Sequence, residues 1–78
     1  MPTKAETIAG ELRAHRAKKD VTQREVAEAI GANQSTVGMW EQRAGVSLED
    51  AWKLADYYGV SLDQLAGRPD PRLRGEAE

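Results

Sequence analysis

The chain has 78 residues, no cysteine, one histidine and a formal net charge of −2. This length allows a single domain, and the lack of cysteine excludes disulfides and thiolate metal sites. A lone histidine cannot assemble a metal cluster, so we expect no metal and no cofactor. No apolar run approaches the roughly 20 residues that cross a bilayer, and residues 1–4 lead into no apolar signal segment. We therefore expect a cytoplasmic protein that does not interact with membranes.

Helix start signals dominate the sequence. A capping box has Ser or Thr at the helix N-cap and Glu or Gln three residues later, and the two side chains satisfy free backbone N–H groups. Each of four such tetrads opens an apolar-periodic stretch, and the one that ends in Asp is the weaker match. Together they predict an all-α fold. The tetrads are Thr3–Glu6, Thr22–Glu25, Ser47–Asp50 and Ser61–Gln64.

The first three predicted helices cover 4–19, 23–30 and 34–42. Gly31 ends the second helix, because glycine tolerates the left-handed backbone of a helix exit. Asn33 is a good N-cap for the third helix. The residues expected to face inward are Ala5, Ile8, Ala9, Leu12, Val26, Ala27, Ile30, Val37 and Trp40.

Two further helices are predicted over 48–58 and 62–66, after a turn marked by Gly45. In the longer one, residues at i, i+3, i+4 and i+7 form an apolar stripe, widened by two more apolar residues, and Gly59 stops it. Residues 1–66 form the predicted domain and 67–78 a disordered tail. The predicted inward residues are Leu48, Ala51, Trp52, Leu54, Ala55, Tyr58, Leu62 and Leu65, whereas Tyr57 is assigned to the surface.

The helices over 23–30 and 34–42 are joined by only three residues, Gly31, Ala32 and Asn33. Two short helices with such a link have the spacing of a helix-turn-helix. The packing demands of this motif are also met, since Ala27 is small where the helices cross and Val37 can fill the space between them. The motif is predicted to cover 23–42.

Three segments, in order, resemble the Cro and phage-repressor (XRE-type) helix-turn-helix family. TQREVAEAIG at 22–31 is similar to the family's TQxxLAxxxG opening, STVGMWE at 35–41 to its STIxxWE recognition helix, and LADYYGVSLDQL at 54–65 to its closing LAxxxGVSxDxL. The resemblance covers about 8–66. It implies a five-helix, lambda-repressor-like domain that places its third helix in the major groove of double-stranded DNA, usually as a dimer on two half-sites.

The resemblance also implies roles for individual residues. Gln23 matches a position that contacts a phosphate and braces Gln34, the first residue of the recognition helix. Arg16 and Glu41 match positions that form a structural ion pair. Thr36 matches a position near the sugar-phosphate backbone.

Three residues depart from the family pattern. Gly38 stands in the middle of the recognition helix, where either a backbone approaches closely or the helix is loosened. Met39 replaces a commonly polar or basic reading position. Arg43 stands where the family often has a C-capping glycine.

Base reading is predicted from Gln34, Ser35 and Met39, which share the helix face opposite Val37 and Trp40. Gln34 can bond the N6 and N7 edge of adenine, Ser35 can bond several bases, and Met39 can pack on a thymine methyl. We therefore expect a half-site that contains A/T pairs.

Contacts to the DNA backbone are predicted from the start of the second helix and from basic side chains. Free N–H groups and a positive dipole suit a phosphate there. The expected backbone-contacting residues are Thr22, Gln23, Thr36, Lys18, Lys19 and Arg43.

The charge balance leaves two functions open. Residues 13–43 carry six basic and four acidic side chains, whereas residues 44–67 carry one basic and four acidic side chains. We expect a transcriptional regulator, a repressor, that forms a homodimer through helix 5 and the surface near Tyr57. The alternative is a protein-binding module of the same fold, such as an antitoxin that captures a toxin. An enzyme is not expected, because His15 has no Ser or Asp partner and is predicted to be exposed near the DNA face.

Overall fold

The computed structural model describes residues 3–68, which form five helices and no strand. The predicted all-α, five-helix class is confirmed. The predicted boundaries agree with the structure except that the third helix runs one residue further. The tail predicted over 67–78 lies, from residue 69 onward, outside the described residues. The helices are α1 (Lys4–Lys19), α2 (Gln23–Ile30), α3 (Gln34–Arg43), α4 (Leu48–Tyr58) and α5 (Leu62–Ala66).

Three of the four predicted capping boxes are complete, at the starts of α1, α2 and α5. The fourth, at α4, is only half formed. Ser47 Oγ accepts the Asp50 N–H at 3.1 Å and donates to Asp50 Oδ2 at 3.1 Å. Aspartate is one methylene shorter than glutamate, so its carboxylate stays on the Ser47 hydroxyl instead of reaching the Ser47 N–H. The difference explains why the tetrad ending in Asp was the weaker match.

Asn33 caps α3 with its backbone alone. Its φ of −91° and ψ of 149° are those of an N-cap, but its side chain makes no capping hydrogen bond. The Asn33 carbonyl accepts the N–H groups of Thr36 and Val37, both at 3.1 Å. The predicted position of the cap was right, although the Asn33 side chain takes no part in the capping.

The core lies where the five helices meet, with α1 packed on α3, α4 and α5, and α2 packed on α3 and α4. Ala27 and Val37 are both buried in it, and the small Ala27 lets α3 pack closely against α2. Ile30 is half-buried against its edge. The buried members are Leu12, Val26, Ala27, Val37, Trp40, Leu54, Ala55 and Leu65.

The inward face of α4 differs from the prediction. Leu48 and Trp52 were assigned to the buried stripe, but they are 72% and 61% exposed. Leu54 and Ala55, which were also predicted to face inward, are buried. Apolar residues occupy so many positions of this helix that two overlapping stripes fit the helical period equally well. Packing against α2 and α5 buries the side of α4 that carries Leu54 and Ala55 and leaves Leu48 and Trp52 in solvent.

Two other predictions for the C-terminal half were wrong. Leu62 is 39% exposed, because α5 is only five residues long and the first of them lies at the edge of the core. Tyr57 and Tyr58 do not divide into one surface and one core residue. Both are half-buried against the core, with their ring centroids 5.2 Å apart in an edge-to-face arrangement.

One helix exit lies inside the motif and a second one follows it. Gly31 ends α2 at φ 76°, as predicted. The exit of α3 lies at Ala44, which has φ 61° and ψ −132° and is followed by Gly45 at φ 75°. A positive φ is uncommon for a residue with a Cβ. The first positive φ comes one residue after Arg43, and α3 keeps Arg43 in its last turn.

Candidate nucleic-acid interface

The outward face of α3 carries all three residues predicted to read bases. Gln34 and Ser35 are exposed in its first turn, and Met39 is 48% exposed one turn further on. Val37 and Trp40, on the opposite face, are buried. The core therefore fixes the rotation of α3, and this rotation directs the three side chains into solvent on one side.

Thr36 and Gly38 lie beside this face and are half-buried. The Gln23 side chain occupies the space next to Gly38. A Cβ placed on Gly38 would lie 3.4 Å from Gln23 Oε1. The close neighbour is thus a side-chain amide, whereas the sequence had suggested either a backbone or a loosened helix.

Gln23 holds α3 at a different point from the one predicted. Its Nε2 donates to Glu41 Oε1 at 3.1 Å. The resemblance had implied that Gln23 braces Gln34, and the described residues contain no hydrogen bond between these two amides. The amide passes beside Gly38 and reaches Glu41 near the far end of the helix. One amide hydrogen and the amide oxygen of Gln23 remain available.

Glu41 is the centre of a network that joins α1, α2 and α3. Arg16 Nε donates to Glu41 Oε2 at 2.7 Å, and the Glu41 side chain is only 4% exposed against 27% for Arg16. Arg13 donates to the Glu41 carbonyl oxygen, and Arg16 Nη1 donates to the Val21 carbonyl at 3.1 Å. The hydrogen bond that Arg16 donates to Glu41 raises the pKa of Arg16 above its usual value. The carboxylate is fully partnered, which a buried charge requires.

The first turn of α2 offers backbone donors. The capping box takes up the N–H groups of Thr22 and Glu25, at 2.8 and 3.1 Å. Within residues 3–68, the N–H groups of Gln23 and Arg24 have no acceptor. Two free N–H groups at a helix N-terminus form a site suited to an anion.

Basic side chains stand at the ends of α1 and α3. Lys18, Lys19 and Arg43 are all exposed in the last turns of these helices. The Lys19 ammonium lies 4.9 Å from the centroid of the Tyr57 ring, at cation–π distance. This contact limits the positions that the Lys19 side chain adopts while it leaves the charge in solvent.

His15 is not the exposed residue that the sequence predicted. Its side chain is 12% exposed, and its ring stacks on Tyr58 with centroids 5.8 Å apart. Its Nε2 lies 3.1 Å from the Gln64 carbonyl oxygen and 3.6 Å from Glu11 Oε1. His15 therefore joins α1 to α5. The partner is 49 positions away, and no local sequence signal indicates such a contact.

Tyr58 lies next to this contact and also faces the Glu41 network. Burial raises the pKa of Tyr58 to about 12, and the Glu41 carboxylate adds to the effect. The neutral phenol is therefore the form that the fold favours.

No group of three or more His, Cys, Asp or Glu side chains within residues 3–68 is placed to hold a metal ion. In the same part of the chain, no helix has the length and apolar character needed to span a membrane.

A family model described as helix-turn-helix matches residues 12–65. The chain belongs to the helix-turn-helix family. The predicted Cro and phage-repressor type is thereby confirmed. The matched range runs from the middle of α1 almost to the end of α5 and contains every residue of the Glu41 network.

Two solved structures are similar to this chain. A hypothetical transcription factor, NHTF, from Neisseria has a TM-score of 0.77 and 27% identity, covering 95% of this chain and 90% of its own. The clp gene regulator ClgR from C. glutamicum has a TM-score of 0.72 and 32% identity, covering 86% of this chain and 94% of its own. No curated protein matches the sequence.

Proposed function

We propose that this helix-turn-helix protein is a sequence-specific transcriptional regulator that reads the major groove with α3 and acts as a repressor. The observation that carries the proposal is the exposed row Gln34, Ser35 and Met39 on a helix whose other face is locked into the core. A rigid helix with polar and apolar side chains at its outward face is what direct readout requires. Both similar structures are of proteins described as a transcription factor or a gene regulator.

Met39 supports the reading of thymine. It exposes nearly half of an apolar side chain in the middle of a polar face. An unbranched, flexible thioether packs well against irregular apolar surfaces, and the thymine methyl is the apolar group that the major groove displays. Gln34, at the start of the helix, supplies the hydrogen bonds to adenine. The proposed half-site therefore contains A/T pairs.

Backbone contacts come from the start of α2 and from the flanking basic residues. A phosphate would accept the free N–H groups of Gln23 and Arg24, and the second amide hydrogen of Gln23 is a further candidate donor. The Glu41 network fixes this amide, so the phosphate contact and the position of α3 are coupled. Thr22, Thr36, Lys18, Lys19 and Arg43 complete the proposed contact set.

The net charge of −2 is compatible with this function because the charges are segregated. Residues 44–67 carry five charged side chains, and the four acidic ones belong to α4 and α5. The basic excess lies in 13–43, which contains α2 and α3. Salt screens interactions beyond roughly 8 Å at physiological ionic strength, so the local balance at the phosphates matters more than the total.

The second candidate is the protein-binding module, for which an antitoxin is the example. The exposed Leu48 and Trp52 favour it, since they form an apolar surface outside the proposed DNA face. A regulator that dimerises uses such a surface as well, so the apolar surface does not distinguish the two functions. Sequence-specific DNA binding does, because only the regulator requires it.

Selection of bound sequences from random duplex DNA tests the regulator function. We expect an enriched motif with A/T pairs in each half-site. Gln34→Ala should cost about 1–3 kcal/mol on that motif and little on random duplex. The matched control is Asp56→Ala, an exposed change on α4, which should leave both affinities unaltered. Selection without any enriched motif would overturn the regulator function and favour the protein-binding module.

A further inference from the structure

Helix α4 presents an unpartnered apolar row to solvent. Leu48 and Trp52 are four residues apart, so they lie side by side on one face of the helix. They are the two most exposed of the large apolar side chains in the described chain. The proposed DNA contacts lie on α2, α3 and the end of α1, so DNA reading does not account for this row. Large exposed apolar surfaces on small domains mark interaction sites.

A pair of opposite charges borders the row. Glu49 and Lys53 are both exposed, and each follows one of the apolar residues by one position. Their i, i+4 spacing would permit an ion pair, as it does for Arg24 and Glu28, whose Nε and Oε2 lie 3.4 Å apart. No such pair joins Glu49 to Lys53 among residues 3–68. Both charges are thus available to a partner.

We propose that this row, Leu48 and Trp52 with Glu49 and Lys53 at its border, is the homodimer interface and that its occupant is a second copy of α4. This deepens the proposed regulator function and rests on it, because a palindromic site needs two copies related by a two-fold axis. The helices cross antiparallel, with the axis near Ala51.

The pattern is complementary to itself under that axis. With a rise of about 1.5 Å per residue, Glu49 comes level with the partner's Lys53. Leu48 then lies within about 3 Å, along the helix axis, of the partner's Trp52. Both kinds of contact occur twice, as an isologous interface requires. An unrelated partner would have to match this arrangement by coincidence.

The size of the row predicts a weak dimer. An aromatic residue buries roughly 150–250 Å² in full, so two partly exposed side chains supply well under the roughly 800 Å² per partner of a stable interface. Two copies on adjacent half-sites, however, meet at a high effective concentration. The interface would thus stay mostly open in free protein and close on the operator.

The surface predicted from the sequence, helix 5 and Tyr57, fits less well. Tyr57 is half-buried, packs edge-to-face on Tyr58 and is covered by the Lys19 ammonium. Leu62 is the one large apolar side chain that α5 exposes. It provides a matched control for the α4 row.

Sedimentation velocity of the DNA-free protein from 10 µM to 1 mM tests the interface. We expect reversible dimerisation, with Trp52→Ser raising the dimer Kd at least tenfold and Leu62→Ser changing it less than twofold. Glu49→Lys and Lys53→Glu should each weaken the dimer, and the double exchange should restore it. A strictly monomeric wild type at 1 mM, or a larger effect of Leu62→Ser than of Trp52→Ser, would overturn the proposal.

Tryptophan emission provides a second readout. Trp40 is buried and Trp52 exposed, so dimerisation should shift the emission to the blue and protect Trp52 from acrylamide. Protection already complete at 10 µM, in monomeric protein, would mean that another part of the same chain covers the row and would also overturn the proposal. Because these measurements contain no DNA, their failure is separate from failure of the DNA-selection experiment.

Discussion

Gly38 shows how one missing side chain shapes the candidate interface. The Gln23 amide passes beside it to reach Glu41. A Cβ would be in ordinary van der Waals contact, at 3.4 Å, with the oxygen of that amide. There is therefore room for an alanine side chain at position 38. Glycine makes the helix less stable there than alanine would.

We expect Gly38→Ala to stabilise the fold by about 0.5–1 kcal/mol, because alanine loses less backbone entropy in a helix. The thermal midpoint should rise by roughly 2–8 °C. Gly31→Ala is the control, since φ 76° at that position should make the same change destabilising by about 1 kcal/mol. Destabilisation by Gly38→Ala would show that the Gln23 amide cannot move aside.

The Arg16–Glu41 pair is the second residue-scale feature with a measurable contribution. Arg16→Ala leaves a carboxylate that is 4% exposed with only the Gln23 amide as a side-chain donor. Stranding a buried charge costs about 3–5 kcal/mol, and partial exposure of Arg16 places the expected loss at the lower end. Chemical denaturation measures it.

The exposed Arg24–Glu28 pair is the matched control for that variant. Surface pairs contribute about 0–1 kcal/mol, so Arg24→Ala should change the free energy of unfolding by much less than Arg16→Ala. Equal effects of the two variants would contradict a buried network around Glu41.

At the scale of the helices, the end of α1 is expected to act through charge. Lys19→Ala should weaken binding to all DNA sequences about equally and reduce the slope of log K against log salt by about one. Affinity titrations at several salt concentrations measure this slope.

Lys4→Ala is the control for that experiment, because Lys4 begins the same 16-residue helix at its opposite end. The helix rise separates the two by more than 20 Å, so Lys4→Ala should leave the slope unaltered. A change in sequence discrimination by Lys19→Ala would show that Lys19 reads bases.

The helix boundaries were predictable because local chemistry sets them. A hydroxyl and an acid or amide within four residues complete three of the caps, and Gly31 supplies the left-handed exit. The outward face of α3 was also predictable, since Val37 and Trp40 define its buried side. The inward face of α4 was not, because Leu48 and Trp52 satisfy the helical period as well as Leu54 does. The contacts of His15 and of the Gln23 amide depend on distant residues.

For the whole molecule, Tyr58 links stability to alkaline pH. Its pKa is raised from 10.0 to about 12 in the fold, mainly by burial. The folded state therefore holds its proton more tightly than the unfolded state does. The stabilisation is fully present below pH 10 and is lost as the pH rises through about 12.

Unfolding free energies measured between pH 9 and 12 should consequently fall less steeply for Tyr58→Phe than for the wild type. Tyr57→Phe is the control and should stay closer to the wild-type slope than Tyr58→Phe does, because it removes only the smallest cause of the raised Tyr58 pKa and leaves burial, the largest, in place. Parallel curves for wild type and Tyr58→Phe would exclude Tyr58 as the source of the pH dependence.

His15 lies at the contact between α1 and α5, where its ring protons can report on that contact by NMR without an added label. The sequence contains one histidine, so its two imidazole carbon-bound protons give a single pair of resonances that needs no assignment by mutation. The ring stacks on Tyr58 and lies against the Gln64 carbonyl, and the ring current of a nearby phenol displaces these resonances from their free positions. One-dimensional proton spectra, recorded with and without DNA, would thus report any separation of α1 from α5 in the unmodified protein.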